Sequence, residues 1–272
     1  MHHLEIDADV LAGNGGLGRY LLLPGSADRA ARIARRLVDV QSHTNRRRLD
    51  VHVGRLELGG ASIDVGAVAT GMGCPSVDIV VGELLGAGAR RMLRVGTAGG
   101  MAPGMRVGDV VIASGAVRDE SASDAYTDPR FPAVADPGWV EALTRAAVDL
   151  GLAERAHVGI VHSKDSFFGR EFGLGPDGDR NHAYMARLAA AGVVASEMEA
   201  AHLFVLGTVF GKGPRTVAAM RSRAAGVRCG AVLAIVGSPE HGFATRDEEQ
   251  AAEERMIDLA LHGIVALAAL EA

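Results

Sequence analysis

Short apolar segments alternate with longer segments of helical period along most of the chain. An apolar run bounded by turn residues is typical of a strand buried on both faces, while apolar residues spaced three and four apart indicate an amphipathic helix. We therefore predict strands at residues 20–23, 62–69, 92–95, 110–116, 158–161 and 231–236. The remaining patterned segments predict helices at residues 27–37, 75–85, 139–150, 181–191, 199–210 and 247–270. This alternation predicts an α/β fold in which a sheet is sandwiched between helices.

The composition suits one domain that acts on small molecules. The chain has 272 residues, of which 48% are hydrophobic and 22% are charged, so it can bury one sizeable core. No linker rich in Pro, Ser and charge divides it, and we predict a single domain over residues 1–272. The formal net charge of −5 gives no general attraction to nucleic acid or to an anionic membrane. Arginines that bind an anion would therefore have to be gathered locally.

Neither the cysteines nor the opening residues indicate a secreted or metal-binding protein. Cys74 and Cys229 lie far apart, without a C-x-x-C pair or matching histidines, so we predict no disulfide framework and no metal site. The opening Met1-His2-His3-Leu4-Glu5 lacks a basic stretch followed by an apolar one, and no apolar run approaches membrane-spanning length. We expect a cytoplasmic protein without membrane contact.

A first candidate site is the turn Pro24-Gly25-Ser26-Ala27-Asp28-Arg29, which joins a predicted strand to a predicted helix. Gly25 lets the backbone approach an anion, the helix start offers unpaired N–H groups, and Arg29 adds a forked donor. An ordinary Ser26 N-cap with a surface arginine explains the same residues. Taken alone, this turn therefore does not establish a ligand site.

A second candidate is Leu93-Arg94-Val95-Gly96-Thr97-Ala98-Gly99-Gly100, where a predicted strand carries an arginine and opens into a glycine-rich turn. A buried arginine needs a partner, and the carboxyl end of a strand in an α/β sheet is where ligands bind. A structural ion pair with Asp or Glu is the alternative. Thr97 and the glycines favour a ligand, because they expose a hydroxyl and backbone amides there.

A third candidate is Ser196-Glu197-Met198-Glu199, at the start of an apolar helix that begins at Ala200. Acidic residues are common at helix starts. That explanation accounts for one glutamate better than for two, and a glutamate at a helix mouth is suited to binding vicinal sugar hydroxyls.

Two segments are predicted to be insertions or loops. Residues 172–180 are rich in Gly and Asp, and residues 211–226 carry Lys212, Arg215, Arg221 and Arg223. For the second segment a solvated basic loop is favoured over a lid, because charged surface segments usually have no site role.

These candidates occur in an order that resembles nucleoside phosphorylases of the uridine and hexameric purine type, over residues 3–236. The matching runs are Pro24-Gly25…Asp28-Arg29, Ala69-Thr70-Gly71-Met72-Gly73-Cys74-Pro75-Ser76, Arg94-Val95-Gly96-Thr97, Phe131-Pro132-Ala133-Val134-Ala135-Asp136, Ser163-Lys164-Asp165-Ser166-Phe167-Phe168 and Glu197-Met198-Glu199. The fourth and fifth runs favour the uridine branch.

The resemblance implies a three-layer α/β/α sandwich with a central mixed, twisted sheet. It also implies roles for residues at the matching positions. Phosphate would be held by Gly25, Arg29, Arg94 and Thr97, together with one arginine of a neighbouring subunit, for which Arg46, Arg47 and Arg48 compete and Arg47 is chosen. Ribose would be bound by Glu197, Met198 and Glu199, and by His3 across a subunit interface. Phe167 would lie against the base.

The sequence departs from the family where the base is read. Uridine phosphorylases have a glutamine and an arginine just after the aromatic pair, whereas this chain has Gly169-Arg170-Glu171-Phe172. Arg170 could donate to a uracil carbonyl and Glu171 could accept from the ring N–H. The family's leaving-group residue also has no match in Val236-Gly237-Ser238-Pro239-Glu240-His241, where Glu240 or His241 could replace it.

We therefore predict a pentosyltransferase of nucleoside salvage, a uridine phosphorylase-like enzyme that needs phosphate as co-substrate and no cofactor, with Arg94 and Glu199 as catalytic residues. A phosphorylase for purine or modified nucleosides, or a nucleoside-binding protein with impaired catalysis, is the alternative. A nucleosidase that uses water is disfavoured, because its arginines would have no anion to hold. The resemblance implies a homo-oligomer built from dimers, a hexamer.

Overall fold

The computed structural model describes residues 1–211, 216–223 and 226–272. Within them, eleven strands join one sheet: β1 (Tyr20–Pro24), β2 (Val38–His43), β3 (Val51–Leu58), β4 (Ala61–Val68), β5 (Arg91–Gly100), β6 (Val110–Asp119), β7 (Ala133–Val134), β8 (Ala156–Lys164), β9 (Ala195–Glu197), β10 (Arg228–Ser238) and β11 (Gly242–Phe243). The α-helices are α1 (Ala27–Ala34), α2 (Cys74–Gly86), α3 (Pro137–Asp149), α4 (Phe167–Phe172), α5 (Gly178–Ala190), α6 (Ala200–Phe210), α7 (Val217–Met220) and α8 (Arg246–Leu270). No helix of the described residues is both long and apolar enough to cross a membrane.

The sheet is mixed and partly closes on itself. Strand β1 pairs in parallel with β4 and β5, and β5 pairs in parallel with β10. Strand β10 runs antiparallel to β6, which is parallel to β8. The short β9 then pairs with both β8 and β5, so Ser196 lies opposite His162 on one side and Gly99 on the other. The closure brings the ends of these strands together around β9.

Two hydrophobic cores cover the two faces of the sheet. Along β1, side chains alternate between the faces: Tyr20 and Leu22 belong to the core that includes α1, α3 and α8, whereas Leu21 and Leu23 belong to the core that includes α2 and α6. Every residue of β1 is buried, as expected for a central strand with helices on both sides. The predicted three-layer sandwich with a mixed sheet is confirmed.

The predicted turn after Val95 is wrong. Strand β5 continues through the glycines to Gly100, because β10 pairs with it as far as Gly99 and β9 pairs with Gly99 and Gly100. The remaining predicted strands and helices are confirmed within a few residues at most ends, although α1 already ends at Ala34.

Several elements had no sequence prediction. Strands β2 and β3 mix polar and apolar residues, and every residue of the edge strand β2 except His43 is exposed. Helix α4 begins at the Phe167-Phe168 pair and runs to Phe172. The helix predicted at residues 181–191 begins earlier, as α5 at Gly178, so the end of the segment 172–180 is helical and not the predicted loop. In the basic segment, Lys212 and Arg215 lie outside the described residues. Exposed Arg221 pairs with Glu141 at 3.4 Å, as expected of a solvated surface.

Candidate functional site

Two turns meet beside β5, one after β1 and one after β4. The backbone N–H of Thr70 donates to the carbonyl of Pro24 at 2.9 Å, which joins the turns directly. A Cβ atom on Gly25 would lie 3.3 Å from the carbonyl oxygen of Gly71 and 3.6 Å from a guanidinium nitrogen of Arg94. A larger residue at position 25 would therefore crowd the space between these turns and Arg94.

Arg94 and Glu199 form a buried ion pair at the centre of this region. The Nη2 of Arg94 donates to Oε2 of Glu199 at 2.6 Å, and its Nη1 donates to the Thr70 hydroxyl at 3.0 Å. The other carboxylate oxygen of Glu199 accepts from the N–H of Gly73 at 2.7 Å. The alternative of a structural ion pair is confirmed for Arg94, and its partner is the glutamate predicted to bind sugar, while the binding of a ligand by Arg94 stays a prediction.

A glycine makes room for this arginine. A Cβ on Gly96 would lie 3.1 Å from Nε of Arg94 and 3.0 Å from a methyl carbon of Leu233, closer than most real Cβ contacts. The Nε atom of Arg94 is itself buried and has no hydrogen-bond partner within the described residues. A buried guanidinium N–H without an acceptor is costly, so Nε is an unsatisfied donor within the described residues.

Glu197 organises the start of α6. Its carboxylate accepts from the N–H groups of Glu199 and Ala200 at 2.8 and 2.9 Å and from the Ser163 hydroxyl. The Ser163 oxygen in turn accepts from the N–H of Ala201 at 2.9 Å. Burial first, and then the nearby charge of Glu199, raise the pKa of Glu197. The structure thus gives Glu197 a capping role, and its contact with ribose stays a prediction.

Arg29 lies next to the site but is held by α8. The Ser26 side chain caps α1, as expected from the alternative explanation of this turn, an ordinary N-cap. Both Arg29 and Arg32 donate to the carboxylate of Glu253, and Nη1 of Arg29 donates to the carbonyl of Val95 at 3.3 Å. Burial is the main cause that lowers the pKa of Arg29, and the charges of Arg94 and Arg32 add to it. Arg29 therefore stands within electrostatic reach of Arg94, while its contact with phosphate stays a prediction.

The predicted base-reading residues belong to a polar network on β6, β8 and α4. Arg170 donates from Nε and Nη2 to Asp119 at 2.6 and 2.8 Å and from Nη1 to Asn181. Asp119 also lies 2.9 Å from Nε2 of the buried His162. A cavity of about 610 Å³ is lined by Asp119, Arg170 and Asn181 among others. Two N–H groups of the Arg170 guanidinium are left for a ligand.

Glu171 is paired with a buried lysine. Its Oε1 lies 2.6 Å from Nζ of Lys164, which also donates to the Ser196 hydroxyl at 2.8 Å and to the Glu197 carbonyl at 3.3 Å. The same ammonium group lies 5.7 Å from the ring centre of Phe167. Lys164 therefore links the predicted base and ribose residues.

Phe167 is part of an exposed aromatic cluster rather than of the core. Its ring lies 5.3 Å from that of Phe168 and 5.4 Å from that of Phe172, and Phe172 contacts Phe243 on β11 at 6.0 Å. Phe167 is 39% exposed. Its exposure follows from the position of α4 on the surface, and its contact with a base stays a prediction.

The other predicted residues are dispersed. Met198 and Thr97 are half-buried, and the carbonyl of Met198 accepts from Cys74 at 3.2 Å. Glu240 and His241 lie exposed in the turn between β10 and β11, where Glu240 accepts from the N–H of Gly104 at 3.5 Å. Among the described residues, no group of His, Cys, Asp and Glu is arranged to hold a metal ion.

Among the described residues, no hydrogen bond or ion pair joins His3 or Arg47 to Arg94 or Glu199. The ring Nδ1 of His3 lies 2.8 Å from a carboxylate oxygen of Glu83 near the end of α2. Arg47 is exposed and forms no ion pair within the described residues, whereas Arg46 pairs with Glu5 at 2.9 Å and Arg48 with Asp50 at 3.6 Å.

Thr70 and Glu253 were missed as functional residues. Thr70 stood within a quoted motif, but its contact with Arg94 joins segments 24 residues apart. Glu253 lies in the closing helix, 224 residues after Arg29, and nothing in the charged start of that helix marks one glutamate. Only the folded arrangement identifies these partners.

The chain matches the profile of a family described as "Phosphorylase superfamily" over residues 19–266. It is similar to a uridine phosphorylase of Treponema pallidum (strain Nichols), with 36% identity over 82% of this chain and 78% of that protein. A uridine phosphorylase of Thermococcus kodakarensis is 37% identical over 72% of this chain and 70% of its own length. A guanosine phosphorylase of Halorubrum lacusprofundi is 30% identical over 95% of this chain and 98% of its own.

Proposed function

Since the chain belongs to the phosphorylase superfamily, we propose that it is a nucleoside phosphorylase that cleaves uridine with inorganic phosphate. The products are uracil and ribose 1-phosphate. The reaction transfers a pentosyl group to phosphate, so the enzyme is a pentosyltransferase. It uses phosphate as a co-substrate, and the chemistry requires no metal or organic cofactor.

The contact between Arg94 and Glu199 is the observation that carries this proposal. An anion-binding side chain and a sugar-binding side chain touch at 2.6 Å, so a phosphate bound by the first lies beside a ribose bound by the second. Each carboxylate oxygen has a second lone pair. Glu199 can therefore keep its contacts with Arg94 and Gly73 and still accept from the two ribose hydroxyls.

The charges of the site suit the reaction. As the C–N glycosidic bond breaks, its electron pair goes to the base, positive charge develops on the sugar, and a phosphate oxygen forms the new C–O bond. Arg94 orients the nucleophile, and the phosphate dianion stabilises the cationic sugar. Glu199 strengthens its hydrogen bonds to the ribose hydroxyls as that charge grows. The departing base takes up a proton at the nitrogen that held the sugar, and the hydrogen phosphate gives up one proton as it becomes the ribose 1-phosphate dianion, so the reaction balances.

Purine nucleosides are the second candidate substrate. The guanosine phosphorylase relative matches nearly the whole chain, and the uridine branch's base-reading glutamine and arginine are absent. In their place, Arg170 is largely committed to Asp119 and Glu171 to Lys164. Uridine is the favoured substrate because the uridine phosphorylases match this chain at higher identity than the guanosine phosphorylase does.

We also propose a hexamer built from dimers, in which His3 and Arg47 complete a neighbour's site. The Arg47 guanidinium supports this, because it is exposed and forms no ion pair within the described residues. An enzyme acting on free nucleosides and phosphate is proposed to work in the cytoplasm.

The test is a panel of uridine, thymidine, guanosine, inosine and adenosine incubated with and without phosphate, with the bases separated by chromatography. We expect base release only with phosphate and the highest kcat/KM for uridine. Cleavage of purine nucleosides with uridine untouched would replace the uridine assignment and leave the roles of Arg94 and Glu199 intact. Binding of a nucleoside without turnover would instead support a binding protein.

A further inference from the structure

The carboxylate of Glu83, near the end of α2, accepts hydrogen bonds from the first residues of the chain. Oε1 of Glu83 accepts from the N–H groups of His2 and His3 at 2.9 and 2.8 Å and lies 2.8 Å from Nδ1 of the His3 ring. Its Oε2 accepts from the N–H of Leu4 at 3.0 Å. Four donors from three consecutive residues thus converge on a single side chain, which is far more than a surface ion pair.

Residues 1–6, here called the arm, are fixed at both ends. The amino group of Met1 donates to the carbonyl of Ile6 at 3.0 Å, which closes the arm on itself. Leu4 and Ile6 are buried in the core that includes α2. The hydrogen bonds to Glu83 therefore set the orientation of residues 2–4 in the arm, while Leu4 and Ile6 pack in the core.

The arm also contacts the segment that carries Arg47. The side-chain amide of Asn45 donates to the carbonyls of Leu4 and Leu49, at 3.5 and 2.6 Å. Its oxygen accepts from the N–H of Arg47 at 3.1 Å and from that of Leu49 at 3.0 Å. His3 and Arg47, the two residues assigned to a neighbour's site, therefore lie on adjoining segments joined through Asn45.

His3 cannot serve the site of its own chain while Glu83 holds it. The amino-terminal end of α2 lies at the site, where Gly73 donates to Glu199. Glu83 lies nine residues after Cys74, which at the rise of an α-helix is about 14 Å farther along. A ribose bound at Glu199 of the same chain is out of reach of an imidazole at Glu83.

We propose that Glu83 is a positioning residue that fixes His3 for the ribose site of a second copy of the chain, an inference that rests on the proposed function. The carboxylate accepts from Nδ1, so in the neutral ring Nδ1 carries the proton and Nε2 keeps its lone pair. That lone pair is directed away from Glu83 and accepts from the 5′-hydroxyl of the neighbour's nucleoside.

The Glu83 carboxylate is charged at neutral pH and can accept the hydrogen bonds of the arm. Burial works against the charged form of Glu83, but the N–H groups of Leu4, His3 and His2 and the His3 ring together lower its pKa to about 2. Because the pKa of Glu83 is lowered, the stabilisation that its charged form gives to the arm is complete above 4.5, the ordinary pKa of a glutamate. This stabilisation is lost as the pH falls toward 2. His2 and His3 are the titratable side chains of the arm beside Glu83, and Glu5 faces Arg46 instead.

Two variants test this. In Glu83→Gln and Glu83→Ala we expect kcat/KM for uridine to fall about tenfold or more, chiefly through the KM for uridine, with the KM for phosphate little changed. Hydrogen exchange should show faster exchange at the amides of residues 2–4. The matched control is Glu5→Gln, which removes an exposed charge from the same arm, with its partner Arg46 84% exposed, and should behave like wild type.

Mixed oligomers separate positioning from a general loss of folding. Glu83→Ala chains mixed with Glu199→Ala chains should regain activity, because some sites combine an intact arm with an intact Glu199. Glu83→Ala mixed with His3→Ala should gain nothing, since both changes damage the arm. Equal rescue by both partners, or unchanged exchange and kinetics in Glu83→Ala, would overturn the proposal while wild-type phosphorolysis stands. A wild-type chain without phosphorolysis would overturn the proposed function itself, and the role of Glu83 with it.

Discussion

Arg94 brings a full positive charge into the core beneath the two turns. Its side chain is only 6% exposed, and that of its partner Glu199 is 5% exposed. A buried pair of this kind gives little net stability, because desolvation of both groups offsets their attraction. The presence of this pair in the core fits the proposal that Arg94 binds phosphate and Glu199 binds ribose.

Replacing Arg94 tests the phosphate site. We expect Arg94→Ala to lower kcat/KM for uridine by about two to three orders of magnitude, as when a preorganised donor to a developing charge is lost. Phosphate saturation curves measure the effect, and circular dichroism must first show that the variant is folded. Arg90→Ala, an exposed neighbour, is the control. Turnover by Arg94→Ala at the wild-type rate would remove Arg94 from the mechanism.

Arg170 is the residue that tests how the base is read. A hydrogen bond from the guanidinium to a uracil carbonyl becomes stronger as the carbonyl oxygen becomes more negative in the transition state. Arg170→Ala should therefore lower kcat/KM for uridine by about one to three orders of magnitude. Because Arg170 is bonded to Asp119, Asp119→Asn serves as the comparison. If Asp119→Asn reproduces the whole loss, Arg170 acts by ordering this network and not by contacting the base.

At the residue scale, the sequence order predicted Arg94 and Glu199 as site residues but not their direct contact. The predictions for Arg170 and Glu171 rested on donor and acceptor chemistry alone. Their partners Asp119 and Lys164 come from β6 and β8, and a linear sequence does not show which polar residues those strands bring to α4.

At the scale of elements, strands buried on both faces were predictable because their apolar residues run nearly unbroken. Edge strand β2 was not, since Val38-Asp39-Val40-Gln41-Ser42-His43 is mostly polar and exposed. Strand β9 has only three residues and forms because β5 and β8 both pair with it. The glycines of β5 suggested a turn, yet pairing with strands on both sides keeps the backbone extended.

The amino-terminal ends of three strands are joined by one carboxylate, far from the site. Glu271 accepts from the hydroxyl of Tyr20 at 2.7 Å and from Nε of Arg91 at 2.7 Å, and it lies 3.1 Å from Arg228. These residues begin β1, β5 and β10. Burial and then the hydrogen bond to Glu271 raise the pKa of Tyr20, so the hydroxyl stays a donor.

Removing the Glu271 carboxylate should lower the stability of the fold without changing the rate of catalysis. We expect Glu271→Ala to lower the free energy of unfolding by about 3 kcal/mol, because two buried guanidinium groups lose the carboxylate that they share, while Arg228 keeps Asp136 and Arg91 keeps the carbonyl of Gly226. Denaturant unfolding at a fixed chain concentration measures it, with the exposed Glu249→Gln as control. The folded fraction should keep wild-type kcat. An unchanged unfolding midpoint would show that Glu271 is dispensable.

At the scale of the whole molecule, the proposed site requires residues of more than one chain. Arg47→Ala and Glu199→Ala are each expected to be nearly inactive, and mixing them should restore partial activity, because some sites would combine an intact Arg47 with an intact Glu199. Sedimentation should show an oligomer for each. A fully active monomer would contradict the shared site.

Phosphate, and not water, is proposed to accept the ribose, and product stoichiometry distinguishes the two acceptors. Uridine is incubated with the wild-type chain over a range of phosphate concentrations, uracil is measured by chromatography, and ribose 1-phosphate by phosphorus NMR. We predict equal amounts of uracil and ribose 1-phosphate at every time point, at a rate that rises with phosphate and saturates. Uracil released at an unchanged rate without phosphate, together with free ribose, would contradict the account.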